Sequence, residues 1–454
     1  MSKEMSKKYT MDMCEGPLLK KMLIFALPLM ASSMLQLLFN AADIIVVGRF
    51  AGDESLAAVG STSALINLMV NLFVGLSIGT NVLVAQFYGG KKENELSGTV
   101  HTSIAISIIS GIILTLIGVI FAPSILKLMQ TPVEVLPKAT VYLRIYFLGM
   151  SATMIYNFGA AILRAIGDTK RPLVYLSVAG VINVVFNLIF VIVFRWDVLG
   201  VGLATVMSQV VSAILVLRCL MKEAGAFQLH LKALRIEKDK LIKILKIGLP
   251  AGFQGTLFSL SNVCIQATVN SFGAVVVAGN SAAGNIEGFV YVGMNAFHQA
   301  AISFTSQNYG AKKYKRIDKI VWLTQVCGIV VGLVLGISAY LGGSWLLRLY
   351  TTSDKVVESG MIRLLYICIP YALCGTMDIM VGVLRGIGYS IVPMFVSLIG
   401  VCGLRLLWLA TGYQLEPFNG KIEMVYIVYP ITWIITFVAH LITYMIARKK
   451  IRQN

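Results

Sequence analysis

Polar side chains inside otherwise apolar runs are the residues of this sequence whose types and spacing could do chemistry. Asp43 lies in LFNAADIIVV, and Asn40 stands three positions before it, on the same face of a helix. Asn183 and Asn187, in VINVVFNLIF, are four residues apart and would also share a face. Thr205, in GLATVMS, adds a hydroxyl oxygen. One carboxylate, two amide oxygens and one hydroxyl form an oxygen set that suits Na⁺, and the same carboxylate could instead carry a proton.

Each of these residues also has a purely structural interpretation. Asp43 could lie at a membrane interface or cap a helix, and Asn side chains commonly form hydrogen bonds between membrane helices. An ionisable group inside a membrane nevertheless costs about 3 kcal/mol on insertion scales, which makes it a functional candidate by default. We therefore predict a cation-binding or coupling site at Asp43, Asn183, Asn187 and Thr205, with Na⁺ or H⁺ as the ion.

The second half of the chain carries its own charged residues within apolar runs. They are Glu287 in GNIEGFVY, Asp378 in GTMDIMVG and Arg405 in CGLRLLWL. One interpretation is that Glu287 or Asp378 forms a structural ion pair with Arg405. The other is that they line a cleft and attract cationic cargo. On the second interpretation the predicted cleft residues are Asn40, Asn157, Glu287, Asp378 and Arg405.

The composition indicates that lipid surrounds the elements that position these residues. Hydrophobic residues make up 57% of the 454-residue chain and charged residues 13%, against about 25% charged in soluble domains. Backbone groups in lipid must be hydrogen-bonded within the segment, which favours helices of about 20 residues. We predict an all-α membrane protein with twelve spans in two six-helix bundles. The predicted limits are 20–48, 54–88, 98–122, 135–163, 171–194, 199–221, 242–271, 275–309, 318–342, 358–384, 392–412 and 424–447.

The basic residues indicate the orientation of these spans. The net charge of +17 could suggest nucleic-acid binding, but the Lys and Arg residues gather in short loops at every second membrane exit. This distribution follows the positive-inside rule and predicts that both termini are cytoplasmic. The predicted cytoplasmic set includes Lys3, Lys7, Lys8, Lys91, Lys92, the clusters at 218–246 and 312–319, Arg448, Lys449, Lys450 and Arg452.

Short phrases recur along the chain with one shared separation. AQFYGGKK at 85–92 matches SQNYGAKK at 306–313, and LRAIG at 163–167 matches LRGIG at 384–388. Asn157 and Asp378 stand at the same separation, each seven positions before the arginine of its LRxIG phrase. The recurrence predicts a duplication of six spans. Because six is even, both copies enter the membrane from the same side as parallel repeats.

The duplication also predicts how the chain is divided. The predicted organisation is an N-terminal lobe over 1–222, an amphipathic cytoplasmic linker helix over 223–241 and a C-terminal lobe over 242–454.

Motifs for enzymatic chemistry are missing from the sequence. It contains neither a Walker A motif nor HExxH, its four histidines are scattered, and its seven cysteines show no metal-binding spacing. We expect no enzymatic activity and no cofactor other than a coupling ion.

Taken together, the motifs resemble those of the multidrug and toxin extrusion (MATE) family. The resemblance rests on NAADIIVVGRFAG, AQFYGGKK, LRAIGDTKRP, SQNYGAKK and LRGIGYSIVP, and it covers residues 18 to 448. It implies a V-shaped pair of six-helix lobes and antiport of organic, often cationic, compounds against Na⁺ or H⁺. The family's first-span acid falls on Asp43, its fifth-span Asn on Asn183 and its sixth-span Thr on Thr205. Many members carry a second acid where this chain has Asn187, and the run 254–258 lacks the glutamate of some members, which leaves the ion open.

Other functions remain open from the sequence. One is a flippase for lipid-linked saccharides on a related architecture, which would present more basic residues in its cavity. Another is a non-transporting membrane receptor or an intramembrane enzyme. For the transporter we expect a cationic organic substrate, contact with membrane lipid, no nucleic acid, a monomer, and location in the cell membrane.

Overall fold

The architecture is a succession of long helices joined by short loops. The structure, a computed structural model, describes residues 9–453; Asn454 and residues 1–8, with the predicted cytoplasmic Lys3, Lys7 and Lys8, lie outside the described residues. The helices are α1 Leu18–Phe50, α2 Asp53–Gly89, α3 Glu93–Leu128, α4 Leu136–Leu148, α5 Met150–Ala165, α6 Lys170–Asn187, α7 Asp197–Lys222, α8 Lys238–Asn270, α9 Ala274–Gly310, α10 Tyr314–Leu341, α11 Gly343–Arg348, α12 Asp354–Arg363, α13 Tyr371–Gly386, α14 Ile391–Ser397, α15 Leu404–Ala410, α16 Ile422–Tyr426 and α17 Val428–Gln453. Short π-helical segments follow α6, α12 and α14, at Leu188–Val193, Leu364–Cys368 and Leu398–Gly403.

Long apolar stretches of helix could cross a membrane. Within the described residues, eight stretches are long and apolar enough to span it, with α14–α15 and α16–α17 each counted as one, and the number is ten if the bent pairs α4–α5 and α12–α13 each form one span. The pairs bend by 45° and 42°. Helices α8 and α9, with 33 and 37 residues, are as long as these spans but are not apolar enough to be counted among them. The predicted all-α membrane fold is confirmed. Helices lie over each of the twelve predicted span ranges, in the predicted order.

The backbone repeats its unusual conformations in the two halves of the chain. Lys91 and Lys312, which occupy equivalent positions in the repeated phrases, both have positive φ, at 54° and 58°. Gly167 and Gly388, the last residues of the two LRxIG phrases, have φ of 92° and 90°. Positive φ is uncommon for lysine, so its recurrence at the same place in both copies supports a common origin. The loops predicted from the repeated phrases therefore share their geometry as well as their sequence.

The described chain forms two compact units. Unit 1 contains the residues up to Asp12 and Ala31–Gly252, and unit 2 contains Met13–Met30 and the residues from Phe253 onward. Helices α1 and α8 are each divided between the units, because the beginning of α1 packs with the second repeat and the beginning of α8 with the first. The compact units thus differ from the two sequence repeats by an exchange of helix beginnings.

Glycines allow α8 to approach α2 closely within unit 1. A Cβ at Gly248 of α8 would lie 2.5 Å from the Cα of Leu76, and a Cβ at Gly79 of α2 would lie 2.4 Å from the carbonyl oxygen of Ile244. Gly75 and Gly79, like Gly248 and Gly252, have the spacing at which small residues let membrane helices pack backbone to backbone.

The predicted linker helix over 223–241 is wrong for most of its length. Residues 223–237 contain only one 3₁₀ turn, at Leu231–Ala233, before α8 begins. Gly225 adopts a φ of 106°, which a right-handed helix cannot include. Phe227 and Leu229, two positions apart, are buried in a cluster with residues of α3 and α7. The apolar residues of this connecting segment therefore pack as in an extended chain rather than along a helix stripe.

Candidate functional site

A close contact between α1 and α6 aligns the predicted cation-site residues in unit 1. A Cβ at Gly180 of α6 would lie 1.8 Å from the Phe39 ring of α1, so the ring packs directly against the α6 backbone and would have to move to admit a side chain there. Phe39 precedes Asp43 by one helical turn, and Gly180 precedes Asn183 by three residues. The contact therefore sets the register in which Asp43 faces the asparagines of α6.

A chain of hydrogen bonds joins the four residues. Asn187 Nδ2 donates to Asp43 Oδ1 and to Asn183 Oδ1, the latter at 3.3 Å. Asn183 Nδ2 donates to Thr205 Oγ1 of α7 at 3.4 Å, and Thr205 Oγ1 donates to the carbonyl of Val201 at 2.9 Å. The structure thus brings together all four residues predicted to bind the cation, while their role stays a prediction.

The centre of this group contains a buried polar atom without a described hydrogen-bond partner. Asn187 is 0% exposed, yet its Oδ1 has no hydrogen-bond partner among residues 9–453. Among the described residues, the Asp43 carboxylate accepts a hydrogen bond from the Asn187 amide and has no Lys or Arg as an ion-pair partner. Asp43 is partly buried within an apolar span, and a carboxylate in such a place without a basic partner is costly unless a proton or a cation neutralises it. The group therefore has both the free acceptor oxygen and the unbalanced charge that a cation would satisfy.

The two predicted cleft residues of the first half lie outside this hydrogen-bonded group. Asn40 is exposed on α1. Asn157 donates its Nδ2 to the carbonyl of Thr153, one turn earlier on α5, at 2.9 Å. Neither residue forms a described hydrogen bond with Asp43.

In unit 2, Glu287 forms an ion pair that the sequence analysis did not predict. Its Oε2 accepts from Arg363 Nη2 at 2.6 Å, so the predicted pairing of Glu287 with Arg405 is wrong. Arg363 Nη1 also donates to Asn280 Oδ1 at 2.6 Å, and the Tyr426 hydroxyl donates to the same oxygen at 3.0 Å. Arg363 ends α12 beside the α9 face that carries Asn280 and Glu287. The charge of Arg363 within the predicted span 358–384 was the signal that could have identified it.

Arg405 is stabilised by aromatic rings instead of a carboxylate. It is 4% exposed, its guanidinium carbon lies 3.9 Å from the Tyr429 ring centre, and its Nε donates to Thr432 Oγ1 at 3.1 Å. In the described part of the chain no carboxylate lies within ion-pair distance of it, so a pairing with Asp378 is also wrong. Helix α15 packs this side chain against α17, where a cation–π contact replaces the expected salt bridge. The carbonyl of Asp378 accepts from His298 Nδ1 at 2.6 Å.

The residue types present restrict the ions that unit 1 could bind. Within residues 9–453 no group of three His, Cys, Asp or Glu side chains could hold a metal ion. Asp43 is the carboxylate of the group, and the other candidate ligands are amide and hydroxyl oxygens. Such a set fits a monovalent hard cation better than a transition metal.

Comparisons with known proteins agree with the repeat and the fold. The MatE family model matches the chain twice, over residues 28–189 and 250–409. The "Probable multidrug resistance protein YoeA" of Bacillus subtilis is 27% identical over 394 residues, covering 85% of each chain. The multidrug export protein MepA of Staphylococcus aureus is 21% identical over 374 residues, covering 82% of this chain and 83% of its own.

Solved structures show the same architecture. The outward-facing conformation of a multidrug resistance MATE family transporter superimposes with a TM-score of 0.90 at 20% identity, covering 97% of this chain and 98% of that one. A MATE crystal structure in the straight conformation gives the same values. At this identity the likeness establishes the fold, and the twofold family match bears out the predicted duplication.

Proposed function

Because the chain belongs to the MatE family of multidrug efflux transporters, we propose that it is an antiporter that exports organic, often cationic, compounds in exchange for Na⁺ or H⁺. The observation that carries the proposal is the hydrogen-bonded group of Asp43, Asn183, Asn187 and Thr205. It combines a carboxylate without a described basic partner and a buried amide oxygen without a described donor.

The position of the Asn187 amide suggests how an ion would engage the site. Its Nδ2 lies between Asp43 Oδ1 and Asn183 Oδ1, so its N–H donors occupy the place where a cation would bridge two oxygens. Turning the amide by half a rotation would direct Oδ1 toward those oxygens and complete a ligand set for Na⁺. Amide donation to Asp43 and cation binding at Asp43 are then mutually exclusive states.

Proton coupling would use the same carboxylate and the same half rotation of the Asn187 amide. A protonated Asp43 could donate to Asn187 Oδ1, the acceptor that has no described partner. In either case, neutralising Asp43 changes the hydrogen bonds that tie α1 to α6. We propose that this change links ion binding to the movement of helices during export.

Asp43→Asn tests the proposal directly, because it keeps the size of the side chain and removes its charge. We expect ion-driven efflux of a cationic dye from reconstituted vesicles to fall to the rate of protein-free vesicles. Efflux is measured under an imposed Na⁺ gradient and, separately, under an imposed pH gradient, and the gradient that drives it identifies the ion. The matched control is Asp354→Asn, which neutralises an exposed acid of α12 and should transport normally.

Wild-type efflux rates from the Asp43→Asn protein would remove Asp43 from the coupling mechanism. Efflux that neither gradient accelerates would refute ion-coupled export itself.

The remaining features of the proposal concern the setting of the transporter. We propose that it lies in the cell membrane with both termini in the cytoplasm, since the Lys and Arg residues gather in alternate loops. We also propose that a single chain is the working unit, because one chain already contains both repeats.

A further inference from the structure

An open pocket lies at one end of unit 2, where three segments of the chain meet. The start of α10, the loop after α13 and the end of α17 form it, and it is a shallow, partly open depression with a volume of about 10 Å³. Its lining residues are Tyr314, Ile317, Asp318, Ile387, Tyr444, Arg448, Ile451 and Arg452. Since α10 and α17 are apolar enough to span a membrane, their ends place the pocket at the membrane surface.

One acid holds two arginines side by side in this pocket. Asp318 Oδ2 accepts from Arg448 Nη2 at 2.8 Å and also from Arg452, while the Tyr444 hydroxyl donates to Oδ1 at 3.0 Å. Two guanidinium groups against one carboxylate leave a net charge of one positive. The arginine side chains are 42% and 43% exposed, and each guanidinium has five N–H donors, so Asp318 cannot use them all. The pocket therefore presents fixed, partly free donors to an anion.

The repeat shows what fills the corresponding place in unit 1. Ile317 and Ile387 of the pocket are the repeat equivalents of Leu96 and Ile166, by the separation that the repeated phrases share. In unit 1, Leu96 and Ile166 belong to a buried cluster that includes Phe227 and Leu229 of the connecting segment. The connecting segment thus contributes apolar side chains next to these positions in unit 1. In unit 2 the equivalent Ile317 and Ile387 are also buried, at 4% and 3% exposed, below the arginines of the pocket.

We propose that this pocket binds an anionic phospholipid from the adjacent leaflet, with the phosphate of its headgroup on Arg448 and Arg452. Paired guanidinium groups match phosphate oxygens in geometry, and basic pockets between membrane helices recognise anionic headgroups. Ile451 and the ring of Tyr314, which are partly exposed beside the arginines, suit the glycerol and upper acyl region of a lipid, whereas a free phosphate ion would gain nothing from them.

Native mass spectrometry of the purified full chain tests this, with phosphatidylglycerol and phosphatidylcholine of identical acyl chains as probes. We expect one phosphatidylglycerol to bind with at least about tenfold preference, and Arg448→Gln/Arg452→Gln to remove the preference. Lys449→Gln/Lys450→Gln is the matched control, since it removes the same charge from the same turn of α17 without touching the pocket lining. This control should keep the preference.

A second measurement uses only the wild-type protein, so it tests the proposal even if the double arginine variant does not fold. Phenylglyoxal should modify Arg448 and Arg452 of the wild-type protein at least about fivefold more slowly in phosphatidylglycerol than in phosphatidylcholine vesicles. Arg348, an exposed arginine paired with Asp354, should react equally in both.

Three results would overturn the proposal. Equal binding of the two lipids to the wild type would show that the pocket does not select an anion. Equal losses from the pocket pair and the lysine pair would show general surface attraction. Full displacement of the lipid by millimolar inorganic phosphate would identify a free anion as the occupant.

Discussion

At the scale of single residues, the central feature is the Asn187 amide, which we propose occupies the place of a cation while the site is empty. It donates to a carboxylate and to a second amide oxygen while its own oxygen has no described donor. An aspartate at this position would add charge but could not donate in its ionised form. On the proposed mechanism, an asparagine therefore keeps the site hydrogen-bonded when no ion is bound.

Substitutions in this group should have graded effects on ion affinity. Asn187→Ala removes the predicted amide ligand, and contacts to a charged group contribute about 1.5–3 kcal/mol. We expect the ion concentration for half-maximal efflux to rise about tenfold or more. Thr205→Val should raise it less than about threefold, because the 3.4 Å contact from Asn183 is a weak hydrogen bond. Equal effects of the two substitutions would contradict the proposal that Asn187 contributes more to ion binding than Thr205.

Much of this residue-scale picture could be predicted from the sequence. Asp43 and the asparagines stand out because polar groups are rare in apolar spans, and their spacing places them on helix faces. The partner of Glu287 could not be predicted, because the sequence does not say which faces of α9, α12 and α15 meet. The pairing with Arg363 rather than Arg405 depends on that packing.

At the scale of elements, the α2–α8 crossing depends on small residues in both helices. A Cβ at Gly248 would meet the α2 backbone, which cannot rotate away as a side chain could. A Cβ at Gly284 of α9 would meet no atom within 4 Å.

These two glycines should therefore respond oppositely to the same substitution. Gly248→Ala should destabilise the protein by about 1–3 kcal/mol, since the helices must separate to admit the methyl group. Gly284→Ala should be neutral or stabilise by up to about 1 kcal/mol, since alanine favours the helix. Unfolding midpoints of the purified proteins in one detergent would measure the difference. A Gly248→Ala protein as stable as wild type would refute the close crossing.

The elements themselves follow from the sequence more closely than their packing does. Apolar length predicts the span limits to within a few residues, as for α7, predicted over 199–221 and observed over Asp197–Lys222. The connecting segment shows the limit of such patterns. Its spaced leucines fit an amphipathic helix equally well, and only the packing of Phe227 and Leu229 against unit 1 decides for an extended path.

At the scale of the whole molecule, the division of α1 and α8 means that neither repeat is complete alone. Unit 1 extends to Gly252 and so includes the beginning of α8, whereas Met13–Met30, with the beginning of α1, belong to unit 2. Hydropathy alone could not predict this exchange, because it identifies spans and not their neighbours.

We expect the two repeats to depend on each other for stability. A chain cut between Ala233 and Leu234, inside the 3₁₀ turn region of the connecting segment, should yield two pieces that copurify when expressed together. Each piece expressed alone should aggregate or be degraded, because it lacks one helix beginning of its unit. Gel filtration in detergent would measure this, and a single piece that remains monodisperse would contradict the exchange.

The exchanged helix beginnings also bear on ancestry. In a precursor with a single six-span repeat, the same arrangement would require two copies to exchange the beginnings of their first helices. Each beginning would then pack in the partner copy. Such a reciprocal exchange of a segment is domain swapping in a symmetric dimer. Fusion of two genes would then have joined the two copies in one chain.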